Sequence, residues 1–186
     1  MSPNAIGVMS RRPNGAAGPP HPPRESRVQA GAGKSKGISM ITGKLLHPEI
    51  LHALARAGHS SRVLISDGNF PHATRCGPNS KLVFMNFRPG LLTVTQVLET
   101  LLDTIPIEDA VVMQPGRRGP YAMKNDPPIF KEFTAILSAA GTGVKIRGME
   151  RFKFYEQAVS PDVCLTIATG EQRLYANLLL TIGVVK

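Results

Sequence analysis

The chain has 186 residues, 42% of them apolar, which is enough for one buried core and too little length to suggest several. Its formal charge is +9, but residues 1–39 hold Arg11, Arg12, Arg24, Arg27, Lys34 and Lys36 against the single acid Glu25, so +5 of that excess lies in one terminal stretch and argues against a nucleic-acid-binding face on the fold. Only Cys76 and Cys164 occur, at no metal-ligand spacing, and no apolar run approaches the roughly 20 residues of a membrane helix, so a disulfide scaffold, a metal knuckle and a membrane span are set aside.

Residues 1–39 combine Pro19-Pro20, Pro22-Pro23 and scattered glycines with few large apolar side chains, and read as a disordered Pro/Gly/Arg-rich tail ahead of one domain over 40–186. A cytoplasmic protein is expected, with organellar import through the basic, acid-poor tail as the alternative. His47-Pro48-Glu49 opens a helix whose buried stripe is Ile50, Leu51 and Leu54, and Gly58 ends it. Arg62 to Ile65 is a short buried strand closed by the turn residues Ser66-Asp67-Gly68. Thr93 caps a second helix, in which Val94, Val97, Leu98, Leu101, Leu102 and Ile105 recur at helical spacing. Ala110 to Met113 is a further strand, and Gln114 to Asp126 a loop long enough to be functional. Pro127-Pro128 starts a third helix with the stripe Ile129, Phe130, Phe133, Ile136 and Leu137, ended by Gly141. Val144 to Arg147 reads as a strand, Glu150 to Ala158 as a short helix, and Val163 to Thr169 and Leu178 to Val185 as strands. This alternation predicts a single layered α/β domain with helices packed on a mostly buried sheet; the strand order is not readable from the pattern.

In layered α/β folds, reactive groups collect on loops at strand ends. Three polar clusters qualify: His59 with Asp67 on either side of the first strand, Glu150 to Glu156, and Gly170 to Asn177. At roughly 3.3 Å per residue, that first strand separates His59 from Asp67 too far for direct contact, unless the loop returns or a substrate lies between them. Each residue also has a purely structural explanation: His59 against the negative end of a helix dipole, Asp67 as a turn residue, Arg151 as a solvated charge. His21, His47, His52 and His72 have no evident partner, and Phe152, Phe154 and Tyr155 read as packing.

The strings Pro48 to His59, Ser66-Asp67-Gly68-Asn69-Phe70-Pro71, Glu150-Arg151-Phe152-Lys153-Phe154-Tyr155-Glu156, and Thr169-Gly170-Glu171 followed by Tyr175-Ala176-Asn177 and Gly183-Val184 resemble, in this order, the L-fucose mutarotase and D-ribose pyranase family. The resemblance implies an isomerase that opens and closes a sugar ring by acid–base chemistry, with no cofactor and no metal. It assigns catalysis to His59 and substrate binding to Asp67, Arg151, Tyr175 and Asn177. The Arg151 to Glu156 string is fucose-type, which makes L-fucose the expected monosaccharide and D-ribose the alternative; a non-catalytic monosaccharide-binding protein is the rival from another class. The family also implies a closed homo-oligomer with sites near subunit contacts; from the residues themselves, no nucleic-acid or membrane partner is expected, because much of the excess charge sits in the tail, the Phe152 to Tyr155 aromatics lack basic interleaving, and no apolar run is long enough to span a bilayer. Two departures are visible: Ala176 stands where fucose-type members carry glycine, and Phe87-Arg88-Pro89-Gly90 replaces an arginine-small-aspartate-glycine run.

Overall fold

A computed structural model describes residues 41–185, and the tail expected over 1–39 lies outside them. In chain order the elements are α1 (Pro48–Arg56), β1 (Arg62–Ser66), β2 (Lys81–Phe84), α2 (Val94–Leu102), β3 (Ile107–Gln114), α3 (Ile129–Ala139), β4 (Ile146–Glu150), α4 (Arg151–Ala158), β5 (Val163–Ala168) and β6 (Leu178–Ile182). The six strands form one sheet in the order β2-β5-β1-β6-β3-β4. Neighbours are parallel except on either side of β6, which runs antiparallel to both β1 and β3. As a result the C-terminal ends of β1 to β5 and the N-terminal end of β6 share one edge of the sheet.

Period-two alternation divides the strand side chains between two cores. Val63, Ile65, Val112, Leu165, Ile167 and Leu180 face the layer formed by α1, α2 and α3, where Ile50, Leu98 and Phe133 meet them. Leu64, Val111, Val163 and Leu179 face the other way, onto Phe154 and Ala158 of α4 and onto Phe70. Burying a side chain of this size stabilises the fold by about 1.5–3 kcal/mol. The middle strands are therefore apolar on both faces, which is why they read as continuous runs. Among the described residues, no helix is long and apolar enough to cross a membrane.

Several boundaries differ from the sequence expectation. Strand β2 is absent from that reading because only Val83 of its four residues is buried and its flanks are turn-like. Strand β4 begins at Ile146 rather than Val144 and runs through Gly148 to Glu150, as pairing with β3 overrides the glycine. β3 extends back to Ile107, whereas β6 stops at Ile182.

Helix α2 starts on a complete capping box: the Thr93 hydroxyl accepts from Gln96 N (3.3 Å), and the Gln96 side chain accepts from Thr93 N (2.9 Å). Thr93→Ala removes one half of this exchange and should lower stability by about 1 kcal/mol, read as a shift in the urea midpoint at unchanged slope.

Candidate functional site

The shared edge of the sheet carries a cavity of about 340 Å³. Four of the five residues singled out above line it: Asp67 follows β1, Arg151 opens α4 directly after β4, and Tyr175 and Asn177 precede β6. The register explains why Asp67 and the last turn meet. Ile65 pairs with Leu178, so two further steps set Asp67 opposite Ala176. There, Asp67 N donates to Asn177 Oδ1 (3.1 Å) and Asn177 Nδ2 donates back to Asp67 Oδ2 (2.9 Å). Ala176 N also donates to Asp67 Oδ2 (3.1 Å), and Asn69 N to Oδ1 (2.9 Å). The Ala176 contribution comes from the backbone, so alanine performs it as glycine would. Asp67 is only 2% exposed and Asn177 4%. Burial pushes the Asp67 carboxyl up to about 6, against the pull of its three N–H donors, and nearby Glu171 raises it further.

The turn that carries Tyr175 is held from below. Glu171, 2% exposed, accepts from Gln172 N, Arg173 N and the Arg173 side chain. Arg173 in turn reaches Glu132 of α3 (2.5 Å). Burial works to raise the Glu171 pKa, but these donors outweigh it and the net shift is downward; the same contact with Glu171 raises Arg173. Tyr175 adopts φ 60°, uncommon for a bulky residue, and presents its ring to the cavity. The Phe87 to Gly90 segment supports this turn by backbone contact: Gly90 N donates to Gly170 O (2.6 Å) and Gly170 N to Leu92 O (2.9 Å). A Cβ on Gly170 would lie 2.1 Å from Leu91 O, so only glycine fits there.

The loop between β3 and α3 forms the outer wall. Arg117 donates to the carbonyls of Met123 and Lys124 and pairs with Asp126, folding the loop on itself so that Pro120 to Met123 cover the cavity. Tyr175 Oη donates to Tyr121 O (3.1 Å), and the Arg151 guanidinium lies 5.5 Å from the Tyr121 ring centre. Tyr155 completes the lining beside Phe70 and Met113. Sequence reasoning missed Tyr155, Tyr121 and Met123: α4 has no clean apolar stripe, and a loop wall carries no periodicity. His72, without a partner in the sequence reading, meets Ser66 Oγ (2.8 Å), and its burial lowers its pKa.

His59 is not in this cavity. It precedes β1, whose five residues span roughly 16 Å, so it sits at the opposite edge of the sheet. There Nε2 lies 2.9 Å from Glu108 Oε2, the side chain is 55% exposed, and the ring lines a separate open cleft of about 770 Å³ with His52 and Lys81. Within one chain, then, the loop does not return and His59 cannot touch a ligand bound beside Asp67. Among the described residues, no three His, Cys, Asp or Glu side chains gather to form a metal cage.

Residues 40–185 match the RbsD / FucU transport protein family. The chain is 36% identical to the fucose mutarotase of Homo sapiens over 147 residues, covering 75% of this chain and 90% of that protein. The structure of the fucose mutarotase from Streptococcus pneumoniae, in complex with L-fucose, superposes with TM-score 0.62 at 25% identity, covering 75% of this chain and 94% of that one. Bacillus subtilis RbsD, complexed with D-ribose, shares the fold with TM-score 0.61 at 20% identity over 79% of this chain and all of that one (100%).

Asp67 should leave a signature on stability. Its carboxyl titrates near 3.8 when unfolded and about 6 when folded, so its favourable contribution is full below the lower value and is lost as pH rises through the upper one. Urea unfolding of Asp67→Asn and the unmodified chain should show the difference moving in the variant's favour between pH 4 and pH 7; a constant difference contradicts the shifted pKa.

Proposed function

The chain belongs to the RbsD/FucU family, and from that premise we propose that it is an isomerase interconverting the α and β anomers of L-fucose. The observation that carries this reading is the composition of the cavity. Its polar side holds Asp67, Asn177, Arg151 and the three phenols of Tyr121, Tyr155 and Tyr175, suited to sugar hydroxyls, while Phe70, Met113, Met123 and Leu174 supply an apolar wall suited to the methyl of a 6-deoxy sugar.

Mutarotation requires that a proton leave the anomeric hydroxyl while another reaches the ring oxygen. The C1–O5 bond then breaks to give the open aldehyde, C1 rotates, and the reverse transfers close the other anomer. Asn177 retains one amide hydrogen, and Arg151 several N–H groups, to hold hydroxyl oxygens. Asp67 has lone-pair capacity left beyond its three backbone and amide donors, so it accepts from a sugar hydroxyl. Positioned proton transfer of this kind contributes about 10²–10⁴ in rate.

His59 is our choice for one of these transfers, and its place at the far edge of the sheet sets a condition. The His59 end of one copy must face the Asp67 end of the next. Because the two ends lie on opposite edges of the same strand, such contacts are head-to-tail, and they close on themselves only as a ring. A homo-oligomer of this kind fits both the exposure of His59 and the openness of its cleft. We place the reaction in the cytoplasm, in keeping with the two free thiols Cys76 and Cys164.

Saturation-transfer NMR with L-fucose, D-galactose and D-ribose tests the activity: anomer exchange should accelerate most with L-fucose, and exchange no faster than without protein for all three sugars would end the proposal. The shared site has its own test. His59→Ala and Asp67→Asn chains should each be inactive alone, but should recover part of the exchange when co-expressed and assembled together, since a mixed ring contains some intact pairs of ends. Recovery absent from verified mixed oligomers would show that both residues act within one chain or that His59 does not act.

A further inference from the structure

The antiparallel pairing of β3 with β6 contains one irregularity. Ile107 pairs with Ile182 and Asp109 with Thr181, so two steps on β3 match one step on β6, and Glu108 is the extra residue. A bulge of this kind re-aims a side chain that regular alternation would place elsewhere. Here it turns Glu108 to His59, whose Nε2 lies 2.9 Å from Glu108 Oε2. Gly183 leaves the space for it, since a Cβ there would lie 3.3 Å from the Glu108 Cβ. The neighbouring Asp109 is taken up by Arg147, whereas the Glu108 side chain has no partner but His59 among the described residues. His59 itself is held on a tight turn: Ser60, at φ 67°, donates its N–H to Ile182 O (2.9 Å), and Ser61 donates to Gly58 O (3.1 Å). An exposed ion pair contributes little to stability. The bulge, the glycine and the left-handed Ser60 therefore serve the placement of the imidazole rather than the cohesion of the sheet.

We propose that Glu108 is a positioning residue for His59: its carboxylate accepts from Nε2–H, orients the ring and leaves Nδ1 as the nitrogen that exchanges a proton with the sugar. The inference rests on the mutarotase reading and on His59 reaching the cavity of an adjacent copy. A carboxylate can only accept, so Nε2 carries the proton in the neutral ring as well as in the charged one. Nδ1 then keeps its lone pair, and its contact with Ser60 Oγ is long, at 3.5 Å. As C1–O5 breaks, Nδ1 takes the proton of the anomeric hydroxyl while water protonates the ring oxygen. On reclosure Nδ1 returns its proton to the anomeric oxygen, and the ring oxygen gives its own back to water, so nothing is consumed. Glu108 transfers no proton itself; its negative charge stabilises the imidazolium between the two transfers, as an orienting carboxylate does beside a histidine base.

Glu108→Ala should lower the maximal exchange rate of L-fucose in saturation-transfer NMR by about 10-fold or more, part of the about 10²–10⁴ that a positioned base contributes. Sugar affinity should stay within about 3-fold, because Glu108 does not touch the sugar. Solid-state ¹⁵N NMR of the histidine-labelled protein reads the tautomer directly, the His59 signals being those lost in His59→Ala. At about pH 9, above the ordinary histidine range, the unmodified protein should show Nε2 protonated and Nδ1 bare, and Glu108→Ala should admit the other tautomer beside it. The measurement on the unmodified protein decides the matter if the alanine variant does not fold. An unchanged maximal rate, a loss explained wholly by affinity, a tautomer that ignores the substitution, or a His59 protonated at Nδ1 overturns the assignment. If the unmodified chain fails to exchange L-fucose, D-galactose or D-ribose, it is the mutarotase reading that falls, and this assignment with it. If the chain exchanges and His59→Ala is equally fast, the part given to His59 falls instead, and that of Glu108 with it.

Discussion

The reciprocal bond between Asp67 and Asn177 is the constraint on which the site depends. It joins the end of β1 to the start of β6 through two side chains that are each almost fully buried, and it is reinforced by Ala176 N. An unpaired carboxylate at that depth would be strongly unfavourable, so its oxygens must find donors. The donors it finds belong to the turn that carries Tyr175. One residue therefore both closes the sheet at that edge and fixes the geometry of the cavity floor, and a longer acid would displace the turn while offering the same charge.

In the neighbouring turn, whose Glu171 carbonyl accepts from Gly68 N, the Glu171 carboxyl meets the same requirement differently. Where Asp67 relies on N–H donors and sits high in pKa, Glu171 has the Arg173 guanidinium and is stabilised as the anion. Through Glu132, that arginine also connects the turn to α3 on the far face of the sheet. The two carboxyls divide the work: one borders the cavity with its pKa raised to about 6, and the other is held as the anion and supports the turn. Separation of roles by environment is the usual means by which identical functional groups behave differently in one protein.

Much of the fold could be read from the chain because its helices announce themselves. Thr93 with Gln96, Pro48 with Glu49, and the stripe from Ile129 to Leu137 are local signals, and the helices begin within two residues of where those signals place them. Strands were legible where they are buried on both faces, as in β1, β5 and β6, and failed for β2, an edge strand with one buried side chain. Strand order depends on pairings about 100 residues apart, such as Val63 with Leu165, and no local pattern encodes them. The same distinction holds at the site. Asp67, Arg151, Tyr175 and Asn177 lie in polar clusters at strand ends, but the family resemblance is what singles them out, and the structure brings these four to one cavity; the length of β1 leaves His59 and Asp67 joined only by a returning loop or a substrate between them, and within one chain the loop does not return. Tyr155 escaped notice because an aromatic in a short helix looks the same whether its hydroxyl faces solvent, core or ligand.

The position of β6 carries one more consequence. It is the last strand in the sequence, yet it occupies the middle of the sheet, with β2, β5 and β1 on one side and β3 and β4 on the other. During synthesis these two groups are made first, and no strand pairing joins them until Leu178 to Ile182 has left the ribosome. Until then each half exposes an open, strongly apolar strand edge, on β1 and on β3, of the kind that pairs readily with other chains. The nascent protein thus passes through an interval in which it is most prone to aggregate, and that interval ends only when its final strand is inserted between the two halves.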